Sequence, residues 1–233
     1  MKFYMPTIGA GDWKRGLAKP THWKIGNSAY AMAHAWEDAA GFPKSVKQVL
    51  ESTIFVDCVP IVAFPEHTTA IPKSGSGKHP QNDVFILAKL TDGQLATIVV
   101  EGKVTEDFDK TLAEWFLSTK EPDRRLSTYL DYIGLSREGI DNIRYQLIQR
   151  TAAAIYEARQ YNAKYALMLV HSFSQSDEHF EDYEAFVKLY GIPSIAVGQM
   201  AKLTTVHDID LYTAWVRGDA GYLQAQELSL YVH

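Results

Sequence analysis

Residues 82–104, NDVFILAKLTDGQLATIVVEGKV, read as two apolar strands joined by a tight turn, the second ending in Glu101-Gly102-Lys103. Side chains alternate along a strand, so Leu95, Thr97, Val99, Glu101 and Lys103 share one face and Ala96, Ile98, Val100 and Gly102 the other. On the preceding strand Asp83, Phe85, Leu87 and Lys89 form one face. The loop decides whether Asp83 meets Glu101. If the loop is Asp92-Gly93 alone, Asp83 falls opposite Gly102, on the wrong face. With Thr91-Asp92-Gly93 the hairpin belongs to the class in which a type I turn is followed by a left-handed residue, and glycine stands at that third position. This spacing predicts Asp83 directly across from Glu101, with Cβ atoms ~5 Å apart, and Lys103 one step further along.

An exposed strand face with an ordinary ion pair would also join Glu101 to Lys103. Both faces of this strand, however, are almost all apolar up to Glu101, as in a strand covered on both sides. Two carboxylates and an ammonium there lose hydration and need compensation. A divalent cation supplies it. Hard oxygen ligands suit Mg²⁺, with Mn²⁺ as a substitute, and such an ion binds through one or two carboxylates together with a substrate phosphate. It can orient a water and lower its pKa, while a lysine helps to position that water and stabilises the developing charge.

The rest of the chain predicts helices over 27–40, 44–53, 105–118, 124–135, near 138–160 and over 177–191. Strands are predicted within 53–64 and over 165–173, 194–200 and 210–216. Residues 65–81, PEHTTAIPKSGSGKHPQ, read as a loop. Its Gly75-Ser76-Gly77-Lys78 is not a phosphate loop, since His79 and Pro80 follow the lysine and the next element is a strand. The pattern is α/β (α+β): a mixed central sheet flanked by helices, in one domain over 1–233. The single cysteine, Cys58, excludes a disulfide framework, and neither a signal core nor an apolar run near ~18 residues is present, so a cytoplasmic, soluble protein is expected. A net charge of -5 argues against a surface that grips nucleic acid all over.

Asp83, then Glu101-Gly102-Lys103 at the end of a hairpin strand, resembles the PD-(D/E)XK, or restriction-endonuclease-like, phosphodiesterase superfamily. The stretches MKFYMPTIGAGDWK, QNDVFILA, VEGKV, RYQLIQRTA and LMLVHSF extend the likeness over most of the chain, to an uncharacterised bacterial family within that group. The resemblance implies an αβββαβ core and Mg²⁺-dependent hydrolysis of phosphodiesters in nucleic acid, DNA before RNA. Asp83 and Glu101 would be metal ligands, the Gly102 carbonyl a further ligand and Lys103 the catalytic lysine. Glu37, on the first helix, would be an additional ligand if it is not a solvated helix-end acid. Gln146 and Arg150, four apart on one helix face, would reach a phosphate if that face is not simply solvated. The resemblance also allows a homodimer, since one site cuts one strand. Asn82 departs from the pattern, standing where the superfamily's name records proline. A catalytically silent member of the fold that binds nucleic acid or a protein is the alternative. His171 reads as a satisfied histidine at a strand end, and Asp177, Glu178, Glu181 and Asp182 as helix-start acids.

Overall fold

The hairpin forms as its spacing predicts. The computed structural model describes residues 7–72, 79–120 and 122–225. In it β2 (Gln81–Lys89) and β3 (Leu95–Lys103) run antiparallel, Val84 opposite Val100 and Lys89 opposite Leu95. Thr91-Asp92-Gly93 make the turn between them. Gly93 sits at φ 83°, its N–H donates to the Leu90 carbonyl at 3.0 Å, and Asp92 Oδ1 accepts from the Gln94 N–H at 2.9 Å.

Four more strands complete one mixed sheet. β1 (Val59–Thr68) pairs antiparallel with β2, β4 (Tyr165–Ser172) pairs parallel with β3, and β6 (Ile209–Arg217) lies parallel to β4 with β5 (Met200–Val206) antiparallel at the far edge. The order is β1-β2-β3-β4-β6-β5. Helices α1 (Ser28–Glu37) and α2 (Lys44–Glu51) precede the sheet. Between β3 and β4 come α3 (Leu112–Ser118), α4 (Pro122–Ile133) and α5 (Tyr145–Gln160), and α6 (Phe180–Lys188) follows β4.

The two sheet faces bury different partners. Phe85, Leu87, Val99, Met168 and Val170 pack in one cluster with Tyr129, Leu147, Ile148, Ile155 and Phe186 from α4, α5 and α6. Val84, Ile86, Ile98, Val100 and Leu169 pack with Met32, Trp36, Val46 and Leu50 from α1 and α2. Cover on both faces accounts for the unbroken apolar runs. No helix among the described residues is long and apolar enough to cross a membrane.

Several boundaries differ from the sequence expectation. β1 starts at Val59 rather than near Thr53 and continues through Pro65–Thr68, a stretch that reads as loop from its composition. Proline is tolerated there because β1 is an edge strand. α3 starts at Leu112, not Thr105. Thr111 Oγ1 accepts from the Glu114 N–H at 3.3 Å and the Glu114 carboxylate accepts from the Thr111 N–H at 2.9 Å, a reciprocal cap that fixes the start. α5 begins at Tyr145, because Gly139 turns at φ 71° and Arg144 bridges to Thr111. Residues 194–199 are irregular, and β5 instead begins at Met200 and turns into β6 through His207 and Asp208, at φ 52° and 61°. Gly75–Lys78 lie outside the described residues.

Candidate functional site

The β2–β3 ladder ends at Val84 opposite Val100, and the register carries on to Asp83 and Glu101. There the Asp83 carboxylate replaces strand pairing, its Oδ2 accepting from the Gly102 N–H at 2.6 Å. Gly102 is required by packing: a Cβ at this position would fall 2.4 Å from Met32 Cγ. Glu101 and Lys103, the next residues on the face toward α5, are both buried, at 4% and 3% exposure.

Helix α5 holds Glu101 through two side chains one turn apart. Arg150 Nε donates to Glu101 Oε2 at 2.5 Å and Gln146 Nε2 to Oε1 at 2.5 Å. Lys103 Nζ lies 2.9 Å from the same Oε1, and it donates to Gln146 Oε1 at 2.9 Å and to the Asp107 carbonyl at 3.0 Å. The ammonium is therefore held by two hydrogen bonds and one ion pair, over the Phe108 ring at 4.7 Å. Gln146 and Arg150 do belong to the site. Their contact in the structure is with Glu101 itself, whereas the sequence offered them to a phosphate.

A further acid, not foreseen from the sequence, stands beside these. The pairs Pro65–Val84 and His67–Asn82 bracket Glu66 opposite Asp83. Its backbone is left-handed, φ 52°, a conformation that non-glycine residues seldom adopt and that stores strain. The twist brings both Phe64 and His67 against Phe85, with ring centroids at 5.8 and 4.9 Å, although regular alternation would part them. Gln81 Nε2 clamps Glu66 Oε2 at 2.9 Å and the Gly16 carbonyl at 2.8 Å. The proline before Glu66 and the loop-like composition after it hid this residue; the β1–β2 register was the signal that would have found it.

Asn82 has a structural task. Its Nδ2 donates to Thr69 Oγ1 at 2.9 Å, Thr69 donates to Glu157 Oε1 at 2.9 Å, and His67 Nε2 lies 2.8 Å from the same oxygen. This buried chain ties the start of the hairpin to α5.

The charges do not cancel. Three carboxylates face two cations, Arg150 and Lys103. Burial, reinforced by Glu101, pushes the Asp83 carboxyl up to about 7. Burial, then Asp83, pushes Glu66 up to about 8. At Glu101 burial acts upward too, but Arg150 and Lys103 outweigh it and hold the carboxyl below its usual range. Among the described residues no group of three or more His, Cys, Asp or Glu side chains is set to hold a metal ion, and the Glu101 oxygens are taken by donors. Asp83 Oδ1 and Glu66 Oε1 accept no hydrogen bond among the described residues. Hard oxygens whose ionisation a nearby positive charge would favour suit a divalent cation.

Two expectations resolve differently. No hydrogen bond or ion pair among the described residues joins Glu37 to this cluster. It ends α1, which packs on the Val84–Ile86 face of the sheet, and its Oε1 accepts from the Trp13 indole N–H at 2.7 Å, whereas Glu101 is held from the α5 face. His171 is buried, its Nε2 3.2 Å from Ser45 Oγ, and burial pushes its pKa down to about 3, so it stays neutral. The acids around α6 hold side chains, not each other: Asp177 pairs with Arg217, Asp182 with Arg144 at 3.0 Å, and Glu178 with Ser174.

Residues 6–220 match a family described as a domain of unknown function, DUF6946. No curated protein and no solved structure matches the chain. Because the match spans nearly the whole sequence, hairpin, acids and α5 included, the chain belongs to the DUF6946 family.

Proposed function

We propose that this protein is a metal-dependent phosphodiesterase acting on nucleic acid, DNA in the first instance. The observation that carries the proposal is Asp83, Glu101 and Lys103 brought together at the end of one hairpin, with more carboxylate than cation around them. Asp83 would hold Mg²⁺ or Mn²⁺ with Glu101, which must release one of its present donors to do so, and with the Gly102 carbonyl as a further ligand. When bound, the ion supplies the Lewis acidity that lowers the pKa of an attacking water and draws charge from the phosphate.

The remaining work falls to the protein. Arg150 and Lys103 together keep Glu101 ionised by outweighing its burial. Gln146 donates to Glu101 and accepts from Lys103, so that one amide fixes the spacing of both. Lys103, anchored by the Asp107 carbonyl, presents a fixed positive charge to the water and to a non-bridging phosphate oxygen. Substrate binding must exchange one of its two hydrogen bonds, or its ion pair with Glu101, for that contact.

The engaged state of Lys103 and the net charge of -5 favour a second reading, a catalytically silent module that binds nucleic acid or a protein. Incubating end-labelled single-stranded and duplex DNA with Mg²⁺ separates the two. Cleavage by wild type that is lost in Lys103→Met supports the hydrolase, whereas DNA retention without cleavage by either protein supports the binding module.

A further inference from the structure

We propose that the basic segment from Lys14 to Lys24 carries the sugar-phosphate backbone of DNA to the carboxylate cluster. This deepens the phosphodiesterase reading and rests on it. Between Trp13 and Trp36 the chain has Lys14, Arg15, Lys19 and Lys24 and no Asp or Glu, whereas its other 19 Lys and Arg are set against 28 Asp and Glu. The acidic net charge therefore conceals one segment of opposite sign. All four cations, and His22 with them, are exposed.

Local structure gathers these charges. Two 3-10 turns, Ala10–Arg15 and Pro20–His22, shape the segment, and Lys14 Nζ lies 5.0 Å from the centre of the Trp23 ring, the chain neighbour of Lys24. The acid just before the segment, Asp12, pairs with Arg15 at 3.0 Å and accepts from the Ile8 N–H at 2.9 Å. With 66% of the Arg15 side chain exposed, that pair is weak and open to exchange for a phosphate.

Direct contacts link the segment to the acids. Gly16, next to Arg15, packs on Glu66 so closely that a Cβ there would fall 2.6 Å from Glu66 Cβ. Gln81 Nε2 donates to the Gly16 carbonyl at 2.8 Å and to Glu66 Oε2 at 2.9 Å, so one amide joins the basic segment to the cluster. Glu66 in turn stands opposite Asp83. A run of anions passing from Lys19 to Arg15 next meets carboxylates, which it tolerates only where a divalent cation bridges the two. Phosphodiesters bind in this way, through an ion shared between carboxylate and phosphate oxygens. An acidic protein surface would match the cations alone. Contacts from Lys and Arg to phosphates position a nucleic acid without reading its sequence, so affinity without base preference is expected.

Fluorescence anisotropy of a labelled DNA duplex with the full chain, without divalent ions, tests the proposal. Wild type should bind with an affinity that falls steeply between about 50 and 200 mM salt. The triple variant Arg15→Gln, Lys19→Gln, Lys24→Gln should melt with wild type yet bind about tenfold or more weaker at the lower salt. Its slope of log Kd against log salt should be shallower by about 2–3, near 0.9 for each lost phosphate contact. The control Lys47→Gln, Lys188→Gln, Lys202→Gln removes the same charge from α2, α6 and β5 and should leave affinity and slope unchanged. Glu66→Lys prolongs the basic run into the cluster and should tighten binding about threefold or more, whereas Glu184→Lys on α6 should not. No binding by wild type, equal weakening by the triple variant and its control, or equal effects of Glu66→Lys and Glu184→Lys overturns the proposal. If wild type binds DNA in this way yet never cleaves it with Mg²⁺, the basic segment stands and the hydrolase reading falls. If wild type cleaves DNA and the triple variant binds it as wild type does, the hydrolase reading stands and the basic segment falls.

Discussion

Replacing Arg150 by methionine keeps the side-chain volume and removes the charge that neutralises Glu101. Arg150 is 7% exposed and Glu101 4%, so the carboxylate is left in a place where water cannot replace its partner. Stranding one member of a buried pair costs about 3–5 kcal/mol. Lys103 and Gln146 still reach Glu101 Oε1, which places the expected loss at the lower end, about 3 kcal/mol. For a chain of this size that corresponds to a melting temperature lower by about 6–12 °C. Urea unfolding at neutral pH without divalent ions, followed by tryptophan emission, measures it, and the slope against denaturant should not change. The double variant Arg150→Met, Glu101→Gln removes the stranded charge. It should therefore be more stable than the sum of the single effects by about 1–3 kcal/mol. A loss below about 0.5 kcal/mol for Arg150→Met, or strict additivity in the double variant, would refute the claim that Arg150 helps to keep Glu101 charged.

Further outcomes follow from the same geometry. Glu66 and Asp83 have folded pKa values raised to about 8 and about 7, so the folded state binds protons that the unfolded chain has released. Without divalent ions, stability should fall as pH rises toward 8. His171, pushed down to about 3, opposes this only below its unfolded pKa of ~6.5. The window from pH 6.5 to 8 therefore isolates the acids, and thermal melts of Glu66→Gln should show a flatter slope there than wild type. Mn²⁺ competes with the same protons, so its stabilisation of wild type should be larger at pH 8 than at pH 6. Gly102→Ala sets a Cβ 2.4 Å from Met32 Cγ and should cost about 1–3 kcal/mol by urea unfolding, less in a Met32→Ala background.

The hairpin was legible because three local rules agree on it: alternation, a glycine at the left-handed turn position, and acids that interrupt an apolar run. Asp83 opposite Glu101 follows from these alone. Glu66 was not legible because its place depends on a pairing with β2 that composition opposes, Pro65 before it suggesting a turn. The face of Glu37 was equally hidden. Sequence puts it at the end of a helix, but only packing sends α1 to the side of the sheet away from α5. Gln146 and Arg150 were found by helical spacing, yet the choice between phosphate and Glu101 as partner lies in how α5 docks on β3. The late starts of α3 and α5 come from the Thr111 cap and its bridge to Arg144, where local hydrogen bonds override an apolar stripe.

Calorimetric titration of Mn²⁺ at pH 7.5 into wild type, Asp83→Asn and Glu101→Gln is the most direct test that the hairpin acids form a cation site. Saturable binding to wild type, weakened about tenfold or more in each variant, is the predicted result. Equal binding in all three, or none to wild type with or without a DNA oligonucleotide, would contradict it and leave the cluster a structural ion-pair network.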